Sequence, residues 1–347
     1  GLTGMAAAFV LGTEPGLQAL GALASRLSGG RVEVGAVSGT LLGALQLREL
    51  RWENGVDRVT IDRLDLRWQP GALFRGKVRI EAVTAAGVRV ALGPGGEDTA
   101  AGPVVLPDVS LPLDLGIESL AVERLNVVIA GEEVFALQEA RLGPVAWQGD
   151  QLTLDDLRLT TATAILRLRG QLHTAADYPL QLTFDGTFTP EGFNAFAGSG
   201  RVQGPLAALD CELTTTAPFV ARLQGRLRDL LTHAAWEASV TSERVALAAI
   251  DPAWPGQVFT DLHLAGSGSF SDYRAEGRGR VATQGIERPV DLNLQFTGNM
   301  DGLQVKELHL SQDRAVLTLT GRLDWTPVLA WQAELAASHF DPSVLVA

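Results

Sequence analysis

Cys211 is the one cysteine in 347 residues, so no internal disulfide can form, and no second Cys or nearby His completes a metal motif. It reads as a small buried strand residue rather than a reactive thiol. Lysine is almost as scarce: Lys77 and Lys306 are the whole complement, and 28 basic against 40 acidic residues leave a net charge of −12. That balance excludes a phosphate-tracking basic stripe, so nucleic acid is not an expected partner, and it disfavours electrostatic docking onto anionic headgroups. Aromatic residues make up 6% of the chain against 46% hydrophobic residues in all, so the interior must be aliphatic, as suits extended sheets with thin interiors. The apolar stretch Leu2–Leu11 is far shorter than the ~20 residues a spanning helix needs. It reads as the stub of a longer anchor, with the opening Gly1 pointing to a trimmed chain.

Catalytic signatures are missing too. The sequence contains no Gly-x-Ser-x-Gly elbow, His-Glu-x-x-His pair, Walker loop or dinucleotide fingerprint. Gly266-Ser267-Gly268 sits inside a strand pattern and opens no helix. His173, His233, His263, His309 and His339 are scattered without a spacing that suits one metal ion. The paired acids Glu132-Glu133 and Asp155-Asp156 lie on strands, where adjacent residues point to opposite faces, so neither pair converges on one substrate. Trp52, Trp68, Trp325 and Trp331 suit core or rim packing better than ligand stacking. Neither catalysis nor a cofactor is expected.

What the sequence does contain is alternation. Thr13-Glu14-Pro15 opens a short helix that Ser28-Gly29-Gly30 stops, with Leu17, Leu20, Ala24 and Leu27 on one stripe that must lie on something apolar. From Arg31 onward the period becomes two. Leu120 and Val122 are followed, after a slip of phase that suggests a β-bulge, by Leu125, Val127 and Ile129. Residues 93–112 are rich in Pro and Gly and read as an extended or flexible connection within one continuous sheet over residues 31–347. In the second half a pattern recurs: apolar, any, apolar, any, Gly, any, apolar. Its copies include Leu166, Leu168, Gly170; Leu182, Phe184, Gly186; Leu223, Gly225; Leu262, Leu264, Gly266; Leu294, Phe296, Gly298; and Leu317, Leu319, Gly321, Leu323. The residues between are nearly all polar, which gives one dry and one wet face. The glycines fall in the dry phase, where a missing side chain permits bending or close approach of a neighbour. Ile250-Asp251-Pro252 and Phe340-Asp341-Pro342 mark turns that end such units. Together these features specify an all-β chain forming an elongated, curled antiparallel meander. Its dry face is either an open groove or the closed core of a sandwich.

Residues 32–92 resemble the N-terminal region of the TamB family, the inner-membrane subunits of the translocation and assembly module, which are related to the AsmA-like proteins. The resemblance is carried by Val37-Ser38-Gly39-Thr40-Leu41, Leu45-Gln46-Leu47-Arg48-Glu49-Leu50-Arg51-Trp52, Leu64-Asp65-Leu66-Arg67-Trp68-Gln69-Pro70 and Ile80-Glu81-Ala82-Val83. Leu106-Pro107-Asp108-Val109-Ser110-Leu111-Pro112-Leu113 is similar to the connection that follows in that family. The resemblance implies a periplasmic β-taco groove, anchored by its N-terminus in the inner membrane of a Gram-negative cell, with an outer-membrane partner. It also implies a part in phospholipid transport or outer-membrane protein assembly. The residues expected to line a groove for acyl chains are Leu166, Leu168, Leu182, Phe184, Leu223, Leu262, Leu264, Leu294, Phe296, Leu317, Leu319 and Leu323. The competing expectations are β-augmentation of unfolded outer-membrane proteins and a β-helical enzyme or adhesin acting on polysaccharide.

Overall fold

A computed structural model describes residues 32–40, 43–55, 57–92, 106–254, 256–269, 271–282, 288–326 and 330–339. The helix expected from Thr13, the apolar stub before it, residues 93–105 of the connection and the Phe340-Asp341-Pro342 turn lie outside them. Among the described residues there are twenty-one strands and almost no helix, so the chain is all-β. It falls into two compact units, residues 1–102 with 106–178, and residues 103–105 with 179–347.

The first unit holds β1 (Val32–Gly39), β2 (Ala44–Asn54), β3 (Asp57–Trp68), β4 (Lys77–Leu92), β5 (Leu111–Ile117), β6 (Leu120–Ile129), β7 (Glu132–Leu142), β8 (Val145–Gly149), β9 (Gln151–Thr160) and β10 (Ala164–His173). Strands β1 to β4 make an antiparallel meander. The expected meander is then interrupted, because β5 and β6 both run parallel to β4, β5 beside Lys77–Ile80 and β6 beside Val83–Leu92. A parallel neighbour needs a connection that returns the full length of the strand. The 16 residues of β4 span on the order of 50 Å, and residues 93–110 have a reach of about 60 Å. The long Pro- and Gly-rich stretch is what this topology requires. Antiparallel pairing resumes through β6–β7, β7–β9 and β9–β10, with β8 between β5 and β9.

The described end of the connection is pinned. Thr174 accepts the Val109 N–H at its carbonyl at 2.8 Å, while the Tyr178 hydroxyl donates to the Leu106 carbonyl at 2.8 Å. The Asp108 carboxylate accepts the Ala176 N–H at 3.0 Å. Beside them Asp150 Oδ2 lies 3.1 Å from His173 Nδ1, and that hydrogen bond holds the Asp150 carboxyl below the usual carboxylate range. A carboxyl whose pKa is depressed by folding contributes stability above its unfolded value of ~3.9 and loses that contribution as pH falls through the folded value. The Asp150→Asn chain is therefore expected to lose less thermal stability than the parent between neutral pH and pH ~3. Melting curves across that range check the sign.

The slips of phase read from the sequence have a common origin that is not a bulge. A bulge puts an extra residue in one strand, whereas here neighbouring strands slip together. Pairing of Arg48 with Arg63 and Leu50 with Ile61 sets Glu49 beside Asp62, and the register on either side carries the line through Gly87 to Arg124. Glu49, Gly87 and Arg124 have φ of 54°, 65° and 57°, the left-handed region. At that level the apolar spacing is three in every strand: Leu47 to Leu50, Ile61 to Leu64, Ala85 to Val88, Val122 to Leu125. Each strand turns over once, and all keep their apolar residues on one face. Gly87 is needed for space as well as for φ, since a side chain there would run into the Asp62 carboxylate.

The second unit holds β11 (Leu180–Phe188), β12 (Phe196–Gly204), β13 (Ala208–Ala217), β14 (Ala221–Arg228), β15 (Ala235–Ala246), a one-turn helix α1 (Leu247–Ile250), β16 (Val258–Ser269), β17 (Tyr273–Ala282), β18 (Val290–Gly298), β19 (Gly302–Gln312), β20 (Ala315–Asp324) and β21 (Ala330–Ser338). Here the expected meander is complete, each strand pairing antiparallel with the next. Among its described residues the buried cluster is local: Val290, Leu292, Leu310 and Leu317, with Phe259, Val281 and Leu308 packed against it. Among the described residues of either unit no large side chain is fully buried.

Candidate functional site: one apolar face

Residues directly opposite each other in an antiparallel pair share a face, so the register can be read across the strands as rows. In the second unit one row runs Phe184, Gly200, Leu213, Leu223, Val240, Leu264, Gly277, Leu294, Leu308, Leu319, Leu335. The next runs Leu182, Val202, Cys211, Gly225, Ala238, Gly266, Ala275, Phe296, Val305, Gly321, Ala333. Leu262 sits opposite Ser242, Leu317 opposite Leu310, and Leu323 opposite Leu303 and Trp331. The register thus gathers the ten expected residues of this unit onto a single apolar face. Leu166 and Leu168 lie in β10 of the first unit, opposite Leu159 and Leu157.

Eleven of the twelve are half-buried. The exception is Leu317, 3% exposed within the closed cluster, which leaves it little surface to offer. Val202, Leu213, Val240, Val305 and Leu308 belong to the same rows and escaped the sequence reading because their strands lack the order apolar, any, apolar, any, Gly. Plain alternation would have found them.

The glycines act by close approach. A Cβ on Gly200 would lie 2.6 Å from Cζ of Phe184, and one on Gly277 would lie 2.5 Å from Cδ2 of Leu264. On Gly298 it would meet the Tyr273 hydroxyl at 2.5 Å, and on Gly266 the Trp236 ring at 3.2 Å. Large side chains lie over the bare backbone of the neighbouring strand, an arrangement also used to stabilise sheet glycines by cross-strand aromatics. The apolar layer stays thin as a result.

The opposite face is polar and its charges are matched across strands. Arg201 meets Glu212 at 2.9 Å, Arg226 meets Asp210 at 2.7 Å and Arg228 meets Glu237 at 2.8 Å. These pairs are about half exposed, so each contributes little to stability; their effect is to keep this side wet. Among the described residues no cluster of His, Cys, Asp or Glu is arranged to hold a metal ion.

Cys211 falls in the second apolar row, half-buried. Burial, with a smaller effect from the neighbouring Asp210 charge, pushes its thiol above the ordinary value. Slow maleimide labelling is therefore expected near neutral pH, with the rise in rate displaced to higher pH than for a free thiol. A hydrocarbon probe bound to the face should slow it further, and mass spectrometry of the labelled fraction reads both effects.

Across its length the sequence matches the family described as TamB, N-terminal domain, at residues 3–103 and 94–347. The chain belongs to the TamB family. TamB proteins are non-enzymatic components of the translocation and assembly module, concerned with outer-membrane biogenesis and partnered by the outer-membrane factor TamA. They are periplasmic and anchored in the inner membrane. Among the described residues of this TamB chain no helix is long and apolar enough to cross a membrane. No solved structure matches the chain.

Proposed function

We propose that the chain carries phospholipid between the inner and outer membranes, passively and without catalysis, by holding acyl chains along its apolar face while headgroups stay at the open edge. The observation that supports this reading most is the continuity of the rows. They run at right angles to the strands, so each further strand lengthens the path by about 4.8 Å. From β11 to β21 the path is on the order of 48 Å long, about three times the thickness of one acyl layer, which is half of a ~30 Å bilayer core.

The need for such a path follows from hydration. Each buried CH₂ stabilises by ~0.8 kcal/mol, so exposing one long acyl chain to water costs on the order of 10 kcal/mol. An uncharged, half-covered aliphatic surface lowers that cost without any reacting group. In this reading the apolar face of the second unit serves as the path, with Leu182, Phe184, Leu223, Leu264, Leu294 and Phe296 among its liners. Native mass spectrometry of the chain purified from a membrane-containing host tests it. Bound phospholipid is expected, and a chain that arrives free of lipid contradicts the proposal.

A second reading is assembly of outer-membrane proteins by β-augmentation, with which membership of the TamB family is equally consistent. Unfolded outer-membrane peptide in the same spectra, with no lipid, would favour it.

A further inference from the structure

Where β14, β15 and β16 approach α1 and the Pro218-Phe219-Val220 turn, a cavity of about 680 Å³ opens, within the ~300–1,000 Å³ typical of small-molecule sites. Its lining is divided in chemistry. Arg222, Arg244 and His263 supply cationic and hydrogen-bonding groups, while Phe219, Val220 and Ala249 supply an apolar wall. Arg222 and Arg244 make no ion pair among the described residues, in contrast to Arg201, Arg226 and Arg228 on the same sheet. Two carboxylates also line the cavity. Asp261 is engaged by Arg280 at 3.2 Å, which leaves Glu243 as the one acid beside the two arginines.

The walls are fixed before anything binds. Ser242, 6% exposed, donates to the Val220 carbonyl at 2.6 Å. Thr215 donates its hydroxyl hydrogen to the Phe219 carbonyl at 2.8 Å and accepts the Ala221 N–H at 2.9 Å. Phe219 stands edge-on to Phe196 at 6.5 Å, and the Ala249 carbonyl accepts the Asn194 amide at 2.9 Å. A site shaped in advance loses little affinity to ordering.

We infer that this cavity holds the phosphate-bearing end of a phospholipid, with Arg222 and Arg244 taking the phosphate and Phe219 and Val220 covering the first methylenes. Guanidinium groups match phosphate oxygens in paired hydrogen bonds. The apolar wall, with Val220 59% exposed at its rim, suits an amphiphile better than a soluble anion. The inference rests on the lipid-carrying reading and gives it a headgroup site in the second unit beside the start of β14, where Arg222, Thr241 and His263 fall on the polar face and Ala221, Ser242 and Leu262 on the apolar one.

The test titrates the chain calorimetrically with dihexanoyl phosphatidylglycerol below its micelle-forming concentration, and separately with inorganic phosphate. Saturable binding of the short lipid is expected, weakened about tenfold or more in the Arg222→Gln/Arg244→Gln chain by loss of two charge-assisted contacts, with phosphate alone much weaker. Equal affinity in parent and variant overturns the inference. Binding of inorganic phosphate as tight as that of the lipid overturns it in favour of a soluble-phosphate site. Should the double variant not fold, a phospholipid with a photoreactive headgroup is cross-linked to the unaltered chain. Adducts within residues 218–222 and 241–263 support the site, and adducts confined to other segments overturn it. Lipid co-purifying with the folded variant shows that the acyl path stands independently, whereas its absence from the parent chain counts against the lipid-carrying reading itself.

Discussion

Phospholipid that co-purifies with the parent chain is expected to fall by about tenfold or more when Leu294 and Phe296 are both replaced by Asp. The two residues occupy adjacent rows of one strand, β18, opposite Gly277 and Ala275 on one side and Leu308 and Val305 on the other. Both are half-buried, so the new carboxylates can reach water while the lipid is away. A hydrocarbon chain laid across them would cover two charges with nothing to pair them, and desolvating an unpaired charge costs several kcal/mol. The path would be cut at one strand while the rest of the face stayed intact. Native mass spectrometry gives the lipid occupancy, and circular dichroism confirms the strands are retained. If the variant keeps affinity for unfolded outer-membrane peptide while losing lipid, the two proposed activities use different surfaces.

Gly200→Ala should destabilise the second unit by about 2–3 kcal/mol, whereas Gly277→Ala should cost under about 1 kcal/mol. Both glycines lie in the same apolar row, and both have a large neighbour lying over them. They differ in what stands in the way. At Gly200 the added methyl meets the Glu212 backbone carbonyl as well as the Phe184 ring, and neither a paired strand nor a ring wedged over it can yield cheaply. At Gly277 the close contact is the far end of Leu264, with the next atom, the His263 carbonyl, at 3.7 Å, so a rotamer change suffices. Urea unfolding of the two variants gives the difference directly. Equal losses would mean that the glycines matter for backbone freedom rather than for seating their neighbours.

The faces of the strands were legible in the sequence and their neighbours were not. Alternation at Leu182, Phe184, Leu294 and Phe296 identifies a dry side because the side-chain period of a strand is two. That same pattern is compatible with many partners, since any apolar row can lie beside any other. The meander from β11 to β21 followed from connections of at most eleven residues between successive strands, too short for a parallel crossover. The parallel placement of β5 and β6 against β4 did not, because it depends on a connection whose composition says only that it is irregular. The slip from Val122 to Leu125 was visible in one strand. Its common level with Glu49, Asp62 and Gly87 could be seen only once the strands were side by side. The cavity at Arg222, Arg244 and His263 was hidden for a similar reason, as its lining comes from three strands, α1 and a turn.

The central claim is that hydrocarbon rests on the row residues and not on the polar side. A phospholipid carrying a photoreactive group at the end of one acyl chain, activated after loading onto the full chain, tests it most directly. Adducts are expected on side chains of the apolar rows, such as Val202, Val240, Leu264 and Leu308, with few on Arg201, Glu212, Arg226 or Glu237. Adducts spread equally over both faces, or concentrated on the polar one, would contradict the proposed path.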